Sequence, residues 1–387
     1  MSSLILKCRC SLLWKRSKLQ NGLQRLQSTM AVLGIETSCD DTGAAVIDGT
    51  NTVLGEAIHQ QTREHMLHGG IRPPLAQSLH AENIHSVVTS AMQKSGLDFS
   101  DLSAIATTVK PGLPMSLLVG AEYGKQLALK HRLAFIPIHH MEAHTLTVRL
   151  TNQVDFPFLC LLASASIIAA RYLNLRMLRD YMDLSGGAAI ERLAEKGNAK
   201  AYNIIGQKSP LSAYRDCNFS FSGLKSNLDV IVRQLEKEHG LDGDSPLELP
   251  LLQDLSASFQ HAVCQHIVRR THRAMLYYSA SVSPQQQCKT LVVSGGVASN
   301  ASLRGWLDKL CSSLGGWRLV CPPPQLCTDN GVMVAWNGLE KLRAMRGVIT
   351  DPAIITDVQV QAKCPLGEDA SQDVAMQSIK VSKWIKA

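Results

Sequence analysis

The sequence predicts a two-lobed α/β fold. Its 387 residues are 45% hydrophobic and 18% charged, which is enough for one large two-lobed unit or for two ordinary domains. Two apolar strands flank an acidic turn near the beginning, at 31–48. A strand that runs through a glycine turn into a helix occurs twice, at 104–120 and at 290–300. This recurrence indicates two related lobes around a cleft.

The first lobe begins with a short apolar strand at 31–35 and a polar turn at 36–43, followed by a return strand at 44–48. Strand, acidic turn and strand in that order are typical of an actin-like nucleotide-binding lobe. A third strand is predicted at 52–57. The pattern from Pro73 to Lys94 predicts a helix whose buried face carries Ala76, Leu79, Ile84, Val87 and Val88.

The two glycine turns are candidate anion sites. A strand at 104–109 ends in Lys110-Pro111-Gly112-Leu113, and the segment from Thr290 to Asn300 repeats the design. Backbone amides at such a helix N-terminus can receive an anion. Any α/β turn can have this form by chance, so the two turns together are stronger evidence for an anion site than either turn alone.

Two histidines and a distant aspartate form a candidate metal site. His140 and His144 are four residues apart, so a helix turn places both imidazoles on one face. Asp329 could add a third ligand and leave the metal's coordination shell incomplete, which is typical of catalytic rather than structural metal sites. The same spacing also occurs on ordinary solvated helices. A metalloprotease is disfavoured, because no Glu directly follows the first histidine as the H-E-x-x-H order requires.

The first thirty residues resemble an organelle transit peptide. They contain six basic residues and no Asp or Glu: Lys7, Arg9, Lys15, Arg16, Lys18 and Arg25. Interleaved Leu, Trp and Ser make the segment amphipathic, which favours a cleaved mitochondrial leader over a secretory signal. A disordered basic tail is the alternative. The leader holds most of the formal charge of +7, so global charge says little about nucleic-acid binding by the mature chain.

Other features of the composition restrict the class of protein. No uninterrupted apolar run approaches twenty residues, which argues against a membrane-spanning helix. The eleven cysteines show no C-x-x-C spacing and are interpreted as reduced, mostly buried side chains. A basic cluster at 266–273 is a candidate contact for nucleic acid, although a solvated helix face is the default interpretation.

Seven sequence motifs, which occur in the same order as in the family, resemble the TsaD family and in particular its organellar tRNA N6-adenosine threonylcarbamoyltransferases. They are Gly34 to Thr42, Gly69 to Pro74, His139 to His144, Ser185 to Gly187 with Ile190 and Glu191, Asn218 to Lys225, Ser294 to Asn300, and Cys327 to Asn330. They extend from about residue 32 to the C-terminal region. Coincidence cannot produce so many motifs in one order.

The resemblance implies an ASKHA fold (actin, heat-shock ATPase, sugar kinase) and a divalent ion, iron or zinc, held by His140, His144 and Asp329. It also implies that Gly187, Glu191, Ser299 and Asn300 contact the nucleotide, with Thr328 beside the metal carboxylate. Without the family match these residues are a helix-start glycine, a surface glutamate and ordinary loop polar groups.

The activity that the resemblance implies is transfer of threonylcarbamoyl from threonylcarbamoyl-AMP to N6 of adenosine 37 of mitochondrial tRNAs, which forms t6A. A YrdC-like synthase would supply the adenylate, and the acceptor would be the tRNA anticodon loop. Organellar relatives act as homodimers, so a homodimer is expected here, on the first lobe. The expected location is the mitochondrial matrix.

One departure from the family pattern lies near 163–184. Family members continue the strand at 156–163 into a Ser-Gly-Gly-His turn, a second strand and a segment that ends in an aspartate, and here that material is absent. The second lobe is therefore expected to lack a strand hairpin that forms one wall of the nucleotide site. Two hypotheses remain: an active threonylcarbamoyltransferase, or an inactive splice variant or pseudo-enzyme of this family that only binds and dimerises.

The resemblance and the element pattern together divide the chain into four parts. We expect a transit peptide at 1–30, a first ASKHA lobe at 31–150 and a shortened second lobe at 151–325. The remainder, 326–387, is expected to supply a helix that returns to the first lobe, followed by a tail.

Overall fold

A computed structural model describes residues 30–381 apart from 69, 164–167, 182–183, 207–209 and 242–244. The described residues fall into two compact units. The first unit holds 30–154 and 321–366, and the second holds 155–320 and 367–381. The proposed transit peptide lies outside the described residues, except for Met30. No helix in the described part of the chain is long and apolar enough to cross a membrane.

The first unit is built on a five-stranded sheet in the order β3-β2-β1-β4-β5. Strands β1, β4 and β5 are parallel, whereas β2 and β3 are antiparallel to their neighbours. The strands are β1 (Ala31–Glu36), β2 (Asp41–Asp48), β3 (Val53–Gln60), β4 (Ala104–Lys110) and β5 (Ala134–His139). The strands predicted from the sequence are thus confirmed within a few residues.

Among its described residues, the first unit also contains seven helices. They are α1 (Thr62–Leu67), α2 (Pro73–Ser95), α3 (Pro114–His131), α4 (His140–Leu146), α5 (Val148–Thr151), α11 (Gly331–Ala344) and α12 (Pro352–Asp357). The predicted buried face of α2 is correct at four of its five positions. Leu79 is only half-buried, and the neighbouring His80 is buried in its place, bonded to Thr42 Oγ1 at 2.8 Å.

The second unit contains three strands and six helices among its described residues. The strands are β6 (Leu159–Leu162), β7 (Thr290–Ser294) and β8 (Arg318–Val320). The helices are α6 (Ile168–Tyr172), α7 (Gly186–Ala194), α8 (Ser222–Glu238), α9 (Leu249–Ser281), α10 (Ala301–Ser313) and α13 (Ser371–Met376). The sheet order is β6-β7-β8, and all three strands are parallel.

Comparison of the two sheets shows what the second unit lacks. The parallel set β6, β7 and β8 matches β1, β4 and β5 in chain order and in sheet order. Counterparts of the antiparallel strands β2 and β3 do not occur in the described part of the second unit. The described residues of the second unit thus agree with the expected loss of a strand hairpin.

The shortened connection after β6 nevertheless closes on a core. Ala169, Ala170, Leu173 and Leu175 are buried and pack in one apolar cluster with Leu193 of α7. Each buried leucine side chain contributes about 1.5–3 kcal/mol relative to exposure. The second unit thus buries this connection without the hairpin.

Candidate metal and substrate site

Three candidate ligands meet within the first unit. His140 and His144 lie on α4, which follows β5 directly, and Asp329 lies two residues before α11. One ligand atom from each of the three lies within 4.8 Å of the others. Asp329 Oδ1 is 2.9 Å from His144 Nε2 and 3.5 Å from His140 Nε2. The predicted convergence of two helix-turn imidazoles and a distant carboxylate is present.

A buried carboxylate behind His140 orients its ring. Glu36, the last residue of β1, is fully buried, and its Oε2 is 3.3 Å from His140 Nδ1. Ser38 N donates to Glu36 Oε1 at 2.5 Å, and Thr108 Oγ1 donates to Oε2 at 2.6 Å. With Nδ1 facing Glu36 and the Ser38 hydroxyl at 3.0 Å, His140 Nε2 points to Asp329. Carboxylate–histidine pairs of this kind fix the ring of a metal ligand.

The sequence reasoning quoted Glu36 only as part of a motif and gave it no role. The signal that could have identified it is its position at the end of a strand whose residues are all buried. A carboxylate buried at such a place needs hydrogen-bond donors or a cation.

The charges in this cluster are strongly coupled. Burial by itself would lower the pKa of His140, but the carboxylates of Asp329 and Glu36 outweigh it and raise that pKa to about 9. Burial would raise the pKa of Asp329, yet His140 and His144 lower it to about 2. The site thus holds ionised carboxylates and attracts positive charge. A divalent ion fits it by charge and by donor type, two nitrogens and one oxygen.

Helix α11 lies unusually close to the sheet, and this closeness positions Asp329. A Cβ on Gly331 would lie 2.4 Å from the backbone of Ala44, and one on Gly43 would lie 2.7 Å from Gly331 N. Asn330 caps the helix by accepting from Met333 N at 2.8 Å, and its Nδ2 donates to Thr328 O at 2.7 Å. Thr328 is exposed beside Asp329 in the chain. Glycine on both faces lets the helix start, with its carboxylate, reach the histidines.

The remaining predicted substrate residues lie in the second unit and cluster around the start of α10. Glu191 Oε1 accepts from Ala301 N at 2.7 Å, and Asn300 Oδ1 accepts from Leu303 N at 2.8 Å. Ser299 Oγ donates to Gly296 O at 2.6 Å. Gly187 lies in the first turn of α7, four residues before Glu191. The structure thus brings Glu191, Ser299 and Asn300 together, and Glu191 and Asn300 also cap α10.

The two glycine turns are less open to an anion than the sequence suggested. In the first turn Gly112 N donates to Ala362 O at 3.3 Å and Leu113 N donates to Ser38 O at 2.8 Å. In the second turn Val297 N donates to Ala163 O at 3.1 Å. These amides have backbone partners already, so the expectation of free amide donors is wrong for them.

The basic cluster at 266–273 is neither a solvated face nor a direct contact surface. His266, Arg270, His272 and Arg273 are all buried within α9. His266 Nε2 accepts from Ser220 N at 3.2 Å, and burial followed by nearby arginines lowers its pKa to about 4. The arginines donate to backbone carbonyls of the preceding loop. Both interpretations of this cluster are therefore corrected.

The chain was compared with known proteins. A family model described as tRNA N6-adenosine threonylcarbamoyltransferase, TsaD, matches residues 52–336. The mitochondrial tRNA N6-adenosine threonylcarbamoyltransferase of Homo sapiens is 47% identical over 378 aligned residues, with 90% of this chain and 89% of the human chain covered. The protein of the same name from Danio rerio is 44% identical, with 91% and 92% covered. A bacterial relative, the tRNA N6-adenosine threonylcarbamoyltransferase of Granulibacter bethesdensis, is 40% identical, with 81% and 88% covered.

The human alignment also contains positions that no residue of this chain fills. Since 90% of 387 residues is about 348, about 30 of the 378 aligned positions face no residue of this chain. That length is enough for two strands and their turn. It agrees with the absence of counterparts to β2 and β3 in the described part of the second sheet.

Proposed function

We propose that this chain, which belongs to the TsaD family of tRNA N6-adenosine threonylcarbamoyltransferases, transfers threonylcarbamoyl from threonylcarbamoyl-AMP to N6 of adenosine 37 in mitochondrial tRNAs. The resemblance read from the motifs is confirmed, and with it the α/β ASKHA fold class and the transferase class. Mitochondrial localisation is confirmed by the relatives. The transit peptide at 1–30 stays a prediction.

The observation that carries the proposal is the cluster of His140, His144 and Asp329. These three side chains would hold one divalent ion, iron or zinc, and Glu36 would keep the ring of His140 in place. A bound ion would polarise the carbonyl of the threonylcarbamoyl group and orient its threonyl part. The protein's own part is to orient the threonylcarbamoyl donor so that the tRNA amine can attack its carbonyl, with AMP as the leaving group.

We place the adenylate on Gly187, Glu191, Ser299 and Asn300, with Thr328 beside the metal carboxylate. The oxygens of Glu191 and Asn300 already accept amides of α10, so their geometry is fixed before a ligand binds. Fixed polar groups lose little entropy on binding and select ribose hydroxyls by direction. Because Gly187 has no side chain, a ligand could approach the backbone at the start of α7 closely.

The partners follow from this chemistry. Threonylcarbamoyl-AMP would come from a separate YrdC-like synthase, and the acceptor is the anticodon loop of a mitochondrial tRNA. We also propose a homodimer through α3, because Met115 and Leu118 are 37% and 45% exposed on that helix. Adjacent exposed apolar side chains of this kind are typical of a protein interface.

The test is transfer to unmodified mitochondrial tRNA by the mature chain, given synthase, threonine, bicarbonate, ATP and a divalent ion. Digested tRNA is analysed for t6A by mass spectrometry, beside a variant with the family's hairpin inserted after β6. We expect t6A from both proteins, because the second unit closes its core without the hairpin. Product from the restored variant alone would make this chain an inactive form of the enzyme that only binds and dimerises.

A further inference from the structure

One loop of the second unit displays an aromatic side chain to solvent. Tyr214 is 61% exposed, and its neighbour Arg215 is exposed as well. The Tyr214 hydroxyl forms no hydrogen bond with the described residues. Exposure of a large aromatic ring to water is unfavourable, and binding of a ligand over the ring would remove that exposure.

The backbone of this loop is held rigidly from below. Arg270 and Arg273 of α9 are 2% and 6% exposed. Arg270 Nη1 donates to Tyr214 O at 3.0 Å and to Asp216 O at 2.9 Å. Arg273 Nη1 donates to the same two carbonyls at 3.2 and 2.7 Å. Two buried guanidinium groups thus hold the backbone carbonyls of Tyr214 and Asp216, which lie on either side of the exposed Arg215.

Further contacts restrict the loop to one conformation. Arg270 Nη2 donates to Leu211 O at 3.1 Å, and Leu211 is held at a φ of 52°. A non-glycine residue in that left-handed region costs about 1–2 kcal/mol. The chain's tail also packs here, because Arg215 Nη1 donates to Ser378 O at 3.2 Å. Tyr214 is therefore displayed on a preorganised surface and not on a loose loop.

Arg270 and Arg273 contact the backbone carbonyl of Tyr214, and Arg215 follows Tyr214 in the chain. Arg270 faces one carboxylate, Asp216, at 3.6 Å, whereas Arg273 donates only to carbonyls among the described residues. Arg215 and Lys380 are exposed at the edge of the loop and of the tail that contacts it. Glu368, Asp369 and Asp373 are the exposed acidic residues of the described tail, so the tail itself has no excess of positive charge. Arg215, which follows Tyr214 in the chain, is the exposed cation that lies next to the ring and can meet a phosphate.

We propose that Tyr214 is a stacking platform for an unpaired base of the tRNA, with Arg215 and Lys380 on the flanking phosphates. The proposal rests on the proposed function, which makes tRNA the substrate. Proteins recognise unpaired RNA bases by stacking them on aromatic rings beside basic groups. Arg270 and Arg273 are positioning residues, which hold the ring in place from inside α9.

The experiment measures binding of fluorescently labelled, unmodified mitochondrial tRNA to the full chain by anisotropy at a fixed salt concentration. Tyr214→Ala is compared with Tyr214→Phe, which keeps the ring. Met345→Ala removes another exposed apolar side chain and is the matched control. We expect Tyr214→Ala to raise the Kd by about 5- to 100-fold, the range for loss of one base stack. Tyr214→Phe and Met345→Ala should stay within about twofold of the wild type.

A salt series separates the stack from the phosphate contacts. Arg215→Gln with Lys380→Gln should reduce the slope of log K against log salt by about 1–2, whereas Tyr214→Ala should leave the slope unchanged. Thermal unfolding checks that Tyr214→Ala folds as the wild type does. If the wild type binds and modifies tRNA while Tyr214→Ala binds equally tightly, the platform is refuted and the function stands. If the wild type itself binds no tRNA, the proposed function falls.

Discussion

Gly34 links the packing of the first unit to its metal cluster, and replacing it with alanine tests that link. Gly34 lies in β1 against α11, and a Cβ there would be 2.2 Å from Ala335 N and 2.6 Å from Gly331 O. Both are backbone atoms, so no change of rotamer relieves the clash. Ordinary contact begins at 3.4 Å, so the strand and the helix must separate by about 1.2 Å.

That separation acts on the site as well as on stability. Helix α11 begins two residues after Asp329, and β1 ends at Glu36, so the two groups move relative to each other and to His140. Overpacking of this kind lowers the free energy of unfolding by about 1–3 kcal/mol. Disturbing the groups that orient metal ligands typically costs about 10- to 100-fold in metal affinity.

Urea unfolding measures the first effect of Gly34→Ala, and competition with a zinc chelator measures the second. Gly305→Ala is the control, because a Cβ at this position of α10 meets nothing within 4 Å. It should be neutral or more stable by up to about 1 kcal/mol, the usual helix preference for alanine. Wild-type stability and wild-type zinc affinity in Gly34→Ala would refute the link between packing and site.

Three further predictions concern single side chains. Glu36→Gln removes the carboxylate that faces His140 Nδ1, so zinc affinity by chelator competition should fall about 10- to 100-fold, and an unchanged affinity would contradict the orienting role. His266 has a folded pKa of about 4, below its ordinary value, so the unfolded chain takes up the proton first and stability is lost as pH falls from about 6.5 to about 4. The loss is about 3 kcal/mol at most, and urea unfolding at pH 7.5 and 5.0 should show a smaller pH dependence for His266→Gln; equal dependence in both proteins counts against it. Leu118→Glu should shift the chain from dimer to monomer in sedimentation analysis, whereas a dimer that persists would place the interface elsewhere.

The sequence was most informative where one local rule decides the outcome. The strands β1 to β4 follow apolar runs bounded by polar or glycine turns, and the structure places them within a few residues of the prediction. The spacing of His140 and His144 fixes their shared helix face whatever the rest of the fold does. The contact of Asp329 with them needed the family's motif order, because nothing local connects positions so far apart.

Sequence reasoning failed where tertiary packing decides. Arg270 and Arg273 have the spacing of an exposed basic face, yet carbonyls of a distant loop hold both inside the second unit. Their burial depends on how the loop at 211–218 folds back on α9, which no periodicity encodes. For Glu36 the sequence offers only its position at the end of an apolar strand, and its partner, the ring of His140, is seen only in the folded structure.

The measurement that tests the central claim most directly is the divalent-metal content of the purified full chain, taken together with its t6A formation. His144→Ala removes the imidazole whose Nε2 lies 2.9 Å from Asp329, and His239→Ala removes an exposed histidine as the control. We predict one ion per chain and t6A formation in the wild type and in His239→Ala, with both lost in His144→Ala. Full metal content and full transfer in His144→Ala would contradict the assignment of His140, His144 and Asp329 as the metal site.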